Sequence, residues 1–580
     1  MLIFEPYQFL HFSTPFQMKQ RFLTVALLAF GGFASAQSTF APLNSDYYHL
    51  PDRYEIRSGR FAQGFYTSSK AYERKGIAEL ADTLLADSSA KWSAADRFNL
   101  QYLQNDNAEW SKTATPESKK AIFKTFYKRK ADLFHYSDKD FDLHLNPVMY
   151  IQAGQDNDTD YKQYINTRGV EVRGTINNKV GFYSFVAENQ ARFAGYAADY
   201  INRIGAVPTE AFVKNFQGNS IGTGAPGYDF FTARGYLSVN PTKNINLQFG
   251  QDRHFIGNGY RSMILSDFAT SYPFLKASTR IWKFQYTNLF AQMKTSSRIP
   301  GDELIPSKYM ALHHLSLNVT KNFNIGVFES IMFGRGDSTQ NGQFDWAYMN
   351  PIIFYRSIEQ QQGSRDNAFL GLDFKWNFLK HGSLYGQLLL DEFKLDEVKA
   401  GNGWWGNKQS WQLGAKYIDA FGLRNLDLQA EVNMARPYTY AHKDSYGSYA
   451  HYNQALAHPL GANFREYIGI LRYQPMGKLA ITAKLIMSEY GEDNNTNFGG
   501  NILQSYQYNR QEYNNKIGQG IKAKQMFADF TVSYQLKHNL FLDVKAVYRD
   551  KKSDLESLSR QTTFLSGALR WNIAQRLHEF

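Results

Sequence analysis

Two stretches have the G-x-G-x-x-G spacing of a phosphate-cradling loop, Gly222 to Gly227 and Gly401 to Gly406. Such a loop works only between a strand and a helix whose first amides hold the pyrophosphate. Neither stretch has that context, and Pro226 removes an amide donor from the first. Gly218-Asn219-Ser220-Ile221-Gly222 has the spacing of a nucleophile elbow, which requires a buried strand before it and a helix after it. Its flanks are polar and glycine-rich instead, and it reads as an outer loop. Asp156, Asp158 and Asp160 alternate as in a calcium loop. Tyr161 stands in place of the turn glycine and Thr167 in place of the bidentate glutamate, so only a loose surface calcium site survives that comparison. His313 and His314 are adjacent and on a strand face opposite ways, so they cannot chelate one ion. With no cysteine in 580 residues, thiolate metal centres, thiol catalysis and disulfides are excluded. No nucleophile stands with a base, and the reading is of a protein that is not an enzyme and uses no metal or cofactor.

Two other stretches carry recognition chemistry. The segment from Arg436 to Glu466 holds Tyr438, Tyr440, Tyr446, Tyr449 and Tyr452 with His442, His451 and His458, and Trp404-Trp405 form a pair elsewhere. Flat rings stack on sugar rings, while phenol and imidazole groups hydrogen-bond to sugar hydroxyls. Trp404, Trp405, Tyr438, Tyr440, His442, Tyr446, Tyr449 and Tyr452 are therefore candidate polysaccharide contacts. The competing reading is an aromatic girdle or simple loop packing. The second stretch runs from Gly250 to Asp267 and sets Asp252, Arg253, Arg261, Ser266 and Asp267 among Gly250, Gly257 and Gly259. Glycine permits unusual backbone angles. The stretch forms either a polar network folded into a lumen or a bulged strand.

The elements that must position these residues are mainly strands. Leu426, Leu428, Ala430, Val432 and Met434 alternate with Asn425, Asp427, Gln429, Glu431 and Asn433; Leu372, Phe374, Trp376 and Phe378 alternate with Asp373, Lys375 and Asn377. Aromatic residues make up 16% of the chain and charged ones only 20%, and no apolar run beyond the N-terminus is long enough for a membrane helix. Strands of ten or more residues with this alternation fit a transmembrane β-barrel, one face to lipid and one to a polar lumen. Short turns at 177–178, 241–242, 320–321, 380–381, 419–420, 475–476 and 537–538 alternate with long connections, the pattern of bacterial barrels with short periplasmic turns. That alternation fails once, between 251 and 309. One further strand within 259–269 repairs it and brings the count to about 18, with both ends on the periplasmic side. The terminal Phe580 suits insertion into an outer membrane.

Ahead of the barrel, helical spacing runs from about Lys70 to His135. Ile77, Leu80, Ala81, Leu84 and Leu85 define one helix, the capping-box pattern at Ser93 to Asp96 opens a second, and Thr115-Pro116-Glu117 opens a third through Ile122, Phe123, Phe126 and Tyr127. From Met18, the expected true start, Lys19 and Arg21, an apolar stretch and Ala34-Ser35-Ala36 read as a secretory signal. The expected organisation is a signal at 1–36, a periplasmic helical domain at 37–139 and an outer-membrane barrel at 140–580. The net charge of +11 becomes +10 without the signal, an excess that usually serves solubility and also suits acidic polysaccharide or lipopolysaccharide. Nucleic acid is not an expected partner of an exported chain.

The 250–267 stretch resembles the signature of the Wzi-type capsule assembly family, G-x-x-R-x-x-x-G-x-G followed by L-I-L-S-[DN]: Gly250, Arg253, Gly257, Gly259, Leu265, Ser266 and Asp267 match, with Pro273 after them. The family's aromatic pair is only partly kept, as His254-Phe255, and Asn258 replaces a proline. Asn166 to Glu171 with Glu188-Asn189-Gln190, and His458-Pro459-Leu460-Gly461, are supporting similarities. The resemblance covers most of 140–470 and is nearest a branch associated with gliding motility. It implies a large barrel with a small periplasmic helical domain and a lectin-like role in holding capsular polysaccharide at the cell surface. The branch implies, as an alternative, work with envelope motility or adhesin-secretion proteins. A porin-like channel is the further alternative.

Overall fold

The computed structural model describes residues 37–217, 226–298, 303–337, 340–352, 354–364, 366–508 and 511–580. The signal at 1–36, the elbow-like Gly218 to Gly222 and most of the glycine pattern at 222–227 lie outside the described residues. The wall is a closed barrel of eighteen antiparallel strands: β1 (Phe141–Asp156), β2 (Gln163–Ile176), β3 (Val180–Arg192), β4 (Pro226–Thr242), β5 (Ile245–Asp252), β6 (Tyr272–Ile281), β7 (Phe284–Lys294), β8 (Ser307–Asn318), β9 (Phe323–Phe333), β10 (Asn367–Phe378), β11 (Gly382–Glu392), β12 (Lys408–Tyr417), β13 (Leu426–Ala435), β14 (Phe464–Met476), β15 (Leu479–Glu492), β16 (Ile521–Lys537), β17 (Leu540–Ser553) and β18 (Arg560–Trp571). It closes where β18 pairs with β1, Leu569 opposite Ile151. A closed sheet has no unpaired edge, which lipid requires because it cannot satisfy a backbone amide.

Alternation decides the two faces. In β10, Leu370, Leu372 and Trp376 are exposed on the outside while Asp373, Lys375 and Asn377 are buried in the lumen. Aromatic rings gather at the short-turn end, with ring pairs Trp282–Phe284, Trp376–Phe378 and Tyr417–Phe421 at 5.6, 5.0 and 5.6 Å, as in the girdle of an outer-membrane barrel. His313 and His314 do point opposite ways: His314 faces inward, 2.7 Å from Asp373, and His313 outward, 4.0 Å from Glu329.

The strand expected within 259–269 lies instead at Tyr272–Ile281. Met263-Ile264-Leu265 is an apolar run without alternation, and all three residues are fully buried inside the lumen. The true strand was masked because its inward face carries Lys276 beside Phe274. The terminal Phe580 turns into the lumen rather than toward lipid, its ring 4.1 Å from that of Tyr200.

Among the described residues three helices precede the wall, α1 (Ser45–Ser58), α2 (Arg74–Ala86) and α3 (Ala94–Asp106). Asn44 caps α1 through its side chain, and Ser93 with Asp96 forms the capping box of α3. α1 escaped the periodicity reading because Pro51 and many polar residues interrupt its apolar stripe. The helix expected after Thr115 does not form. Lys120, Lys124 and Lys128 stand at successive i,i+4 positions with no acid between 118 and 130, and like charges at that spacing oppose a helix. The segment doubles back instead, Ile122 bridging to Phe126, and Phe123 is 87% exposed rather than packed in a core.

The helical unit seats against the short-turn end of the barrel. Gln37 N–H donates to the Asn178 carbonyl at 3.0 Å and Phe61 N–H to that of Lys321 at 2.8 Å. The Ser93 hydroxyl donates to Asn425 at 2.6 Å. Buried ion pairs lock it. Arg53 reaches Asp419 at 2.5 Å, Asp96 at 3.3 Å and Asp427; Lys375 reaches Glu55 at 3.0 Å and Asp52; Lys416 also pairs with Asp52. Burial alone would raise the Asp52 carboxyl, but Lys375 and Lys416 hold it well below the usual range.

Candidate functional site

The 253–271 segment runs through the lumen and is held by strands from several sides. Gln387 on β11 accepts from Met263 N–H at 2.8 Å, and Glu431 on β13 accepts from the amides of Tyr260 and Arg261 at 2.7 and 3.0 Å. The Arg261 guanidinium lies 3.5 Å from Glu466 and 3.3 Å from Glu579. Arg253 donates to the Asp267 carbonyl at 2.9 Å, while Asp252 accepts the Arg253 amide at 2.8 Å. Ser266 hydrogen-bonds to the Leu456 and Ala457 carbonyls. The glycines are spaces the packing needs. A Cβ on Gly250 would fall 2.2 Å from the Gly235 carbonyl oxygen, and one on Gly259 2.5 Å from Gln412. Gly257 adopts φ +138, and a Cβ there would stand 2.5 Å from Gln387. Gly257→Val is expected to cost about 1–3 kcal/mol from backbone strain alone. Its measure is faster proteolysis at 253–271 with heat-stable barrel mobility retained.

The tyrosine-rich segment is the lid over that plug. Tyr440 donates to the Met263 carbonyl at 2.7 Å and Tyr449 to that of Ile264 at 2.9 Å, their rings stacked at 5.8 Å. Tyr438 donates to the Asn497 carbonyl at 3.0 Å. Tyr438, Tyr440 and Tyr449 are at most 1% exposed and Trp405 is 9% exposed. The sugar-facing expectation therefore does not hold for these four rings: their faces are covered by the chain itself. Tyr446 is half-buried against Gly334, Tyr452 is half-buried, and His442 is buried with Nδ1 3.3 Å from Asp444.

Above the lid, two long loops meet at Trp404. The Trp404 indole donates to Glu512 at 3.1 Å, and Lys394 stands 5.7 Å over its ring. Backbone bonds from Trp405 to Glu512, Asn514 to Asn402 and Asn515 to Gly403 stitch the 393–407 loop to the 493–520 loop. Tyr506 packs at 4.8 Å from Trp405 and 5.8 Å from His442. Tyr508 is 70% exposed and Tyr513 is 43% exposed. Gly401 and Gly403, with φ of +63 and +67, shape the turn, and Gly401 ends a short helix (Leu395–Ala400) rather than starting one. That orientation offers no phosphate cradle. Tyr506, Tyr508, Tyr513 and Glu512 were missed from sequence. Their signal is the composition of 501–515, a tyrosine-, asparagine- and glutamine-rich run of the kind that supplies aromatic contact with adaptable hydrogen bonds. Asp156 and Asp158 serve structure: Asp156 accepts the amides of Asp158, Thr159 and Gly195, and Asp158 pairs with Arg560.

Between the helical unit and the plug lies a charged chamber of about 460 Å³, lined by Lys70, Arg74, Arg253, Asp267, Arg576 and Glu579 among others.

Two histidines make the lid sensitive to acid. Nδ1 of His451 accepts the Lys294 amide at 2.9 Å, and Nδ1 of His458 accepts that of Leu460 at 3.2 Å. Each imidazole is thus neutral in the folded lid. Burial lowers His451 to about 3 and lowers His458 as well. An unfolded lid would take up protons near the ordinary imidazole value of about 6.5. Lid stability is therefore full above that pH and is lost as pH falls from there towards 3. The slope reaches about 1.4 kcal/mol per pH unit for His451. Protection of the amides across 436–463, taken relative to the intrinsic exchange rate at each pH, should fall between about pH 7 and pH 4.5, and His451→Asn should flatten the fall.

The sequence model of the family described as capsule assembly protein Wzi matches residues 152–563. Among solved structures, Wzi of Escherichia coli, an outer-membrane protein involved in group 1 capsule assembly and a carbohydrate-binding β-barrel, is similar in fold. It is 13% identical with a TM-score of 0.54, the match covering 93% of this chain and 100% of that one. OprD of Pseudomonas aeruginosa is 10% identical at a TM-score of 0.40, covering 74% of this chain and 94% of that one. OccAB1 of Acinetobacter baumannii is 9% identical at 0.39, covering 74% and 96%. No curated protein sequence matches the chain.

Proposed function

The chain belongs to the Wzi capsule assembly family, and from that premise we propose that it holds capsular or other extracellular polysaccharide at the cell surface. The short-turn end and its helical unit face the periplasm, and the long loops face outward, by the turn-length rule for bacterial barrels. Polysaccharide lies across the Trp404, Tyr508 and Tyr513 rings, where Lys394, Asn402 and Glu512 supply charge and hydrogen bonds. The carrying observation is the joining of two long loops beside Trp404 and Glu512, with Tyr508 and Tyr513 exposed on the second, while the 253–271 segment crosses the lumen beneath. A packed lumen favours a binding role over a diffusive pore, which would need a continuous water path.

The test is binding of the purified barrel to capsule extracts and glycan arrays, together with the partition of polysaccharide between cells and medium in a deletion strain. Binding above background and loss of cell-attached polysaccharide are the expected results. No binding with normal attachment would overturn the reading.

A further inference from the structure

At the seam of the barrel, imidazoles and carboxylates converge from three parts of the chain. His135 and His144 face each other across the short antiparallel pair that joins Phe134–Ser137 to the foot of β1. Asp142 lies two residues before His144 on the same face of its strand. Ring nitrogens of the two histidines and a carboxylate oxygen of Asp142 all lie within 4.8 Å of one another. His144 is 1% exposed. Its Nε2 stands 2.8 Å from Asp142 and its Nδ1 3.0 Å from Asp132, yet neither nitrogen makes a hydrogen bond of acceptable direction. Glu109, just beyond α3, places Oε2 at 4.0 Å from His144 Nε2, and that buried oxygen has no hydrogen-bond partner either.

We propose that this cluster binds a divalent cation of the zinc type. His135 Nε2, His144 Nε2 and Asp142 are the ligands, Glu109 closes the fourth side, and Asp132 orients His144 through Nδ1. Ligand atoms at about 2.0–2.2 Å from tetrahedral zinc stand about 3.4 Å apart. The separations here, 2.8 Å for His144–Asp142, 3.1 Å for His135–Asp142 and 4.0 Å for His144–Glu109, bracket that value. Two imidazoles with carboxylates suit zinc and its neighbours in the first transition row over magnesium or calcium, which take oxygen ligands. A carboxylate behind the coordinating histidine is the usual outer-shell partner in such sites.

Arg129 gives a further handle. Its Nη1 lies 3.0 Å from His135 Nε2. A guanidinium only donates, so that nitrogen is unprotonated and offers to Arg129 the lone pair an ion would use. Arg129 competes for the lone pair and must withdraw when the ion binds. The consequence is mechanical: the ion ties Glu109 at the end of the helical unit to the first strand of the wall.

The test is metal content by mass spectrometry on the full-length protein, purified without a histidine tag and dialysed against micromolar zinc. The absence of cysteine removes any thiolate background. One zinc per chain is expected, lost in the His135→Ala, His144→Ala double variant, whose barrel folding is checked by heat-modifiable gel mobility. Asp142→Asn supplies a milder variant with the same expected loss. Arg129→Ala should bind zinc several-fold more tightly, an effect that a purely structural His–Asp cluster does not produce. Chelation should speed tryptic release of the helical unit. Zinc well below one per chain, or equal uptake by the double variant, would overturn the assignment.

Discussion

Replacing Arg53 by methionine is expected to loosen the helical unit from the barrel while leaving the eighteen-stranded wall closed. The Arg53 side chain is 2% exposed and is shared among Asp96, Asp419 and Asp427. Removing it leaves three buried carboxylates with only Arg57 beside Asp419 and His49 beside Asp427. Removal of one partner from a buried ion pair costs about 3–5 kcal/mol, because the remaining charge is uncompensated. The wall keeps its backbone ladder, to which Arg53 contributes nothing. The signature is therefore selective. Trypsin should release fragments of 37–139 from the variant under conditions that leave the parent chain intact, and heat-modifiable mobility should persist. A variant with unchanged protease resistance would mean that the helical unit is held by its apolar and backbone contacts alone. Adding Asp419→Asn and Asp427→Asn to the Arg53 variant should restore much of the resistance, since neutral partners remove the uncompensated charge.

The second large effect concerns recognition. Trp404→Ala and Tyr508→Ala are each expected to weaken polysaccharide binding by about five- to thirty-fold, from a loss of about 1–2 kcal/mol per ring. Tyr440→Phe is the contrasting variant. It removes the hydroxyl that holds Met263 but touches no outward face. It should leave binding unchanged and raise hydrogen exchange in the lid. Isothermal titration with capsule extract, run beside hydrogen exchange, separates the two outcomes. If Tyr440→Phe weakened binding as much as Trp404→Ala, the sugar would have to reach the lid interior and the outer surface would lose its assignment.

These contrasts show why residue type alone did not sort the aromatic residues. Tyr438, Tyr440, Tyr449 and Tyr446 lie within a few positions of one another, in the same loop and the same composition. Three are buried pegs that donate to backbone carbonyls, and the fourth is half-buried at the rim. A tyrosine serves either purpose, because its ring packs and its hydroxyl bonds. Only the path of the chain decides which face is left over. Tyr508 and Tyr513 were missed for the opposite reason: their segment has no periodicity, and its neighbour Trp404 is about a hundred positions away.

What the sequence determined by itself is the wall. Period-two alternation is local, each strand carries it independently, and the lengths of the turns order the strands and set their number without knowledge of any long-range contact. Seventeen of the eighteen strands, the inward polar ladder of Asp427, Glu431 and Asn433, the α2 and α3 helices and the family signature were legible for that reason. What only the tertiary structure decided is the contents of the lumen and the surface above it. Met263-Ile264-Leu265 passes for a strand until a lumen is there to bury it. His135, Asp142 and His144 become a site only when the short strand folds back on β1 and α3 brings Glu109 beside them. In each case the deciding energy is a contact between segments far apart in the chain, and no local pattern records it.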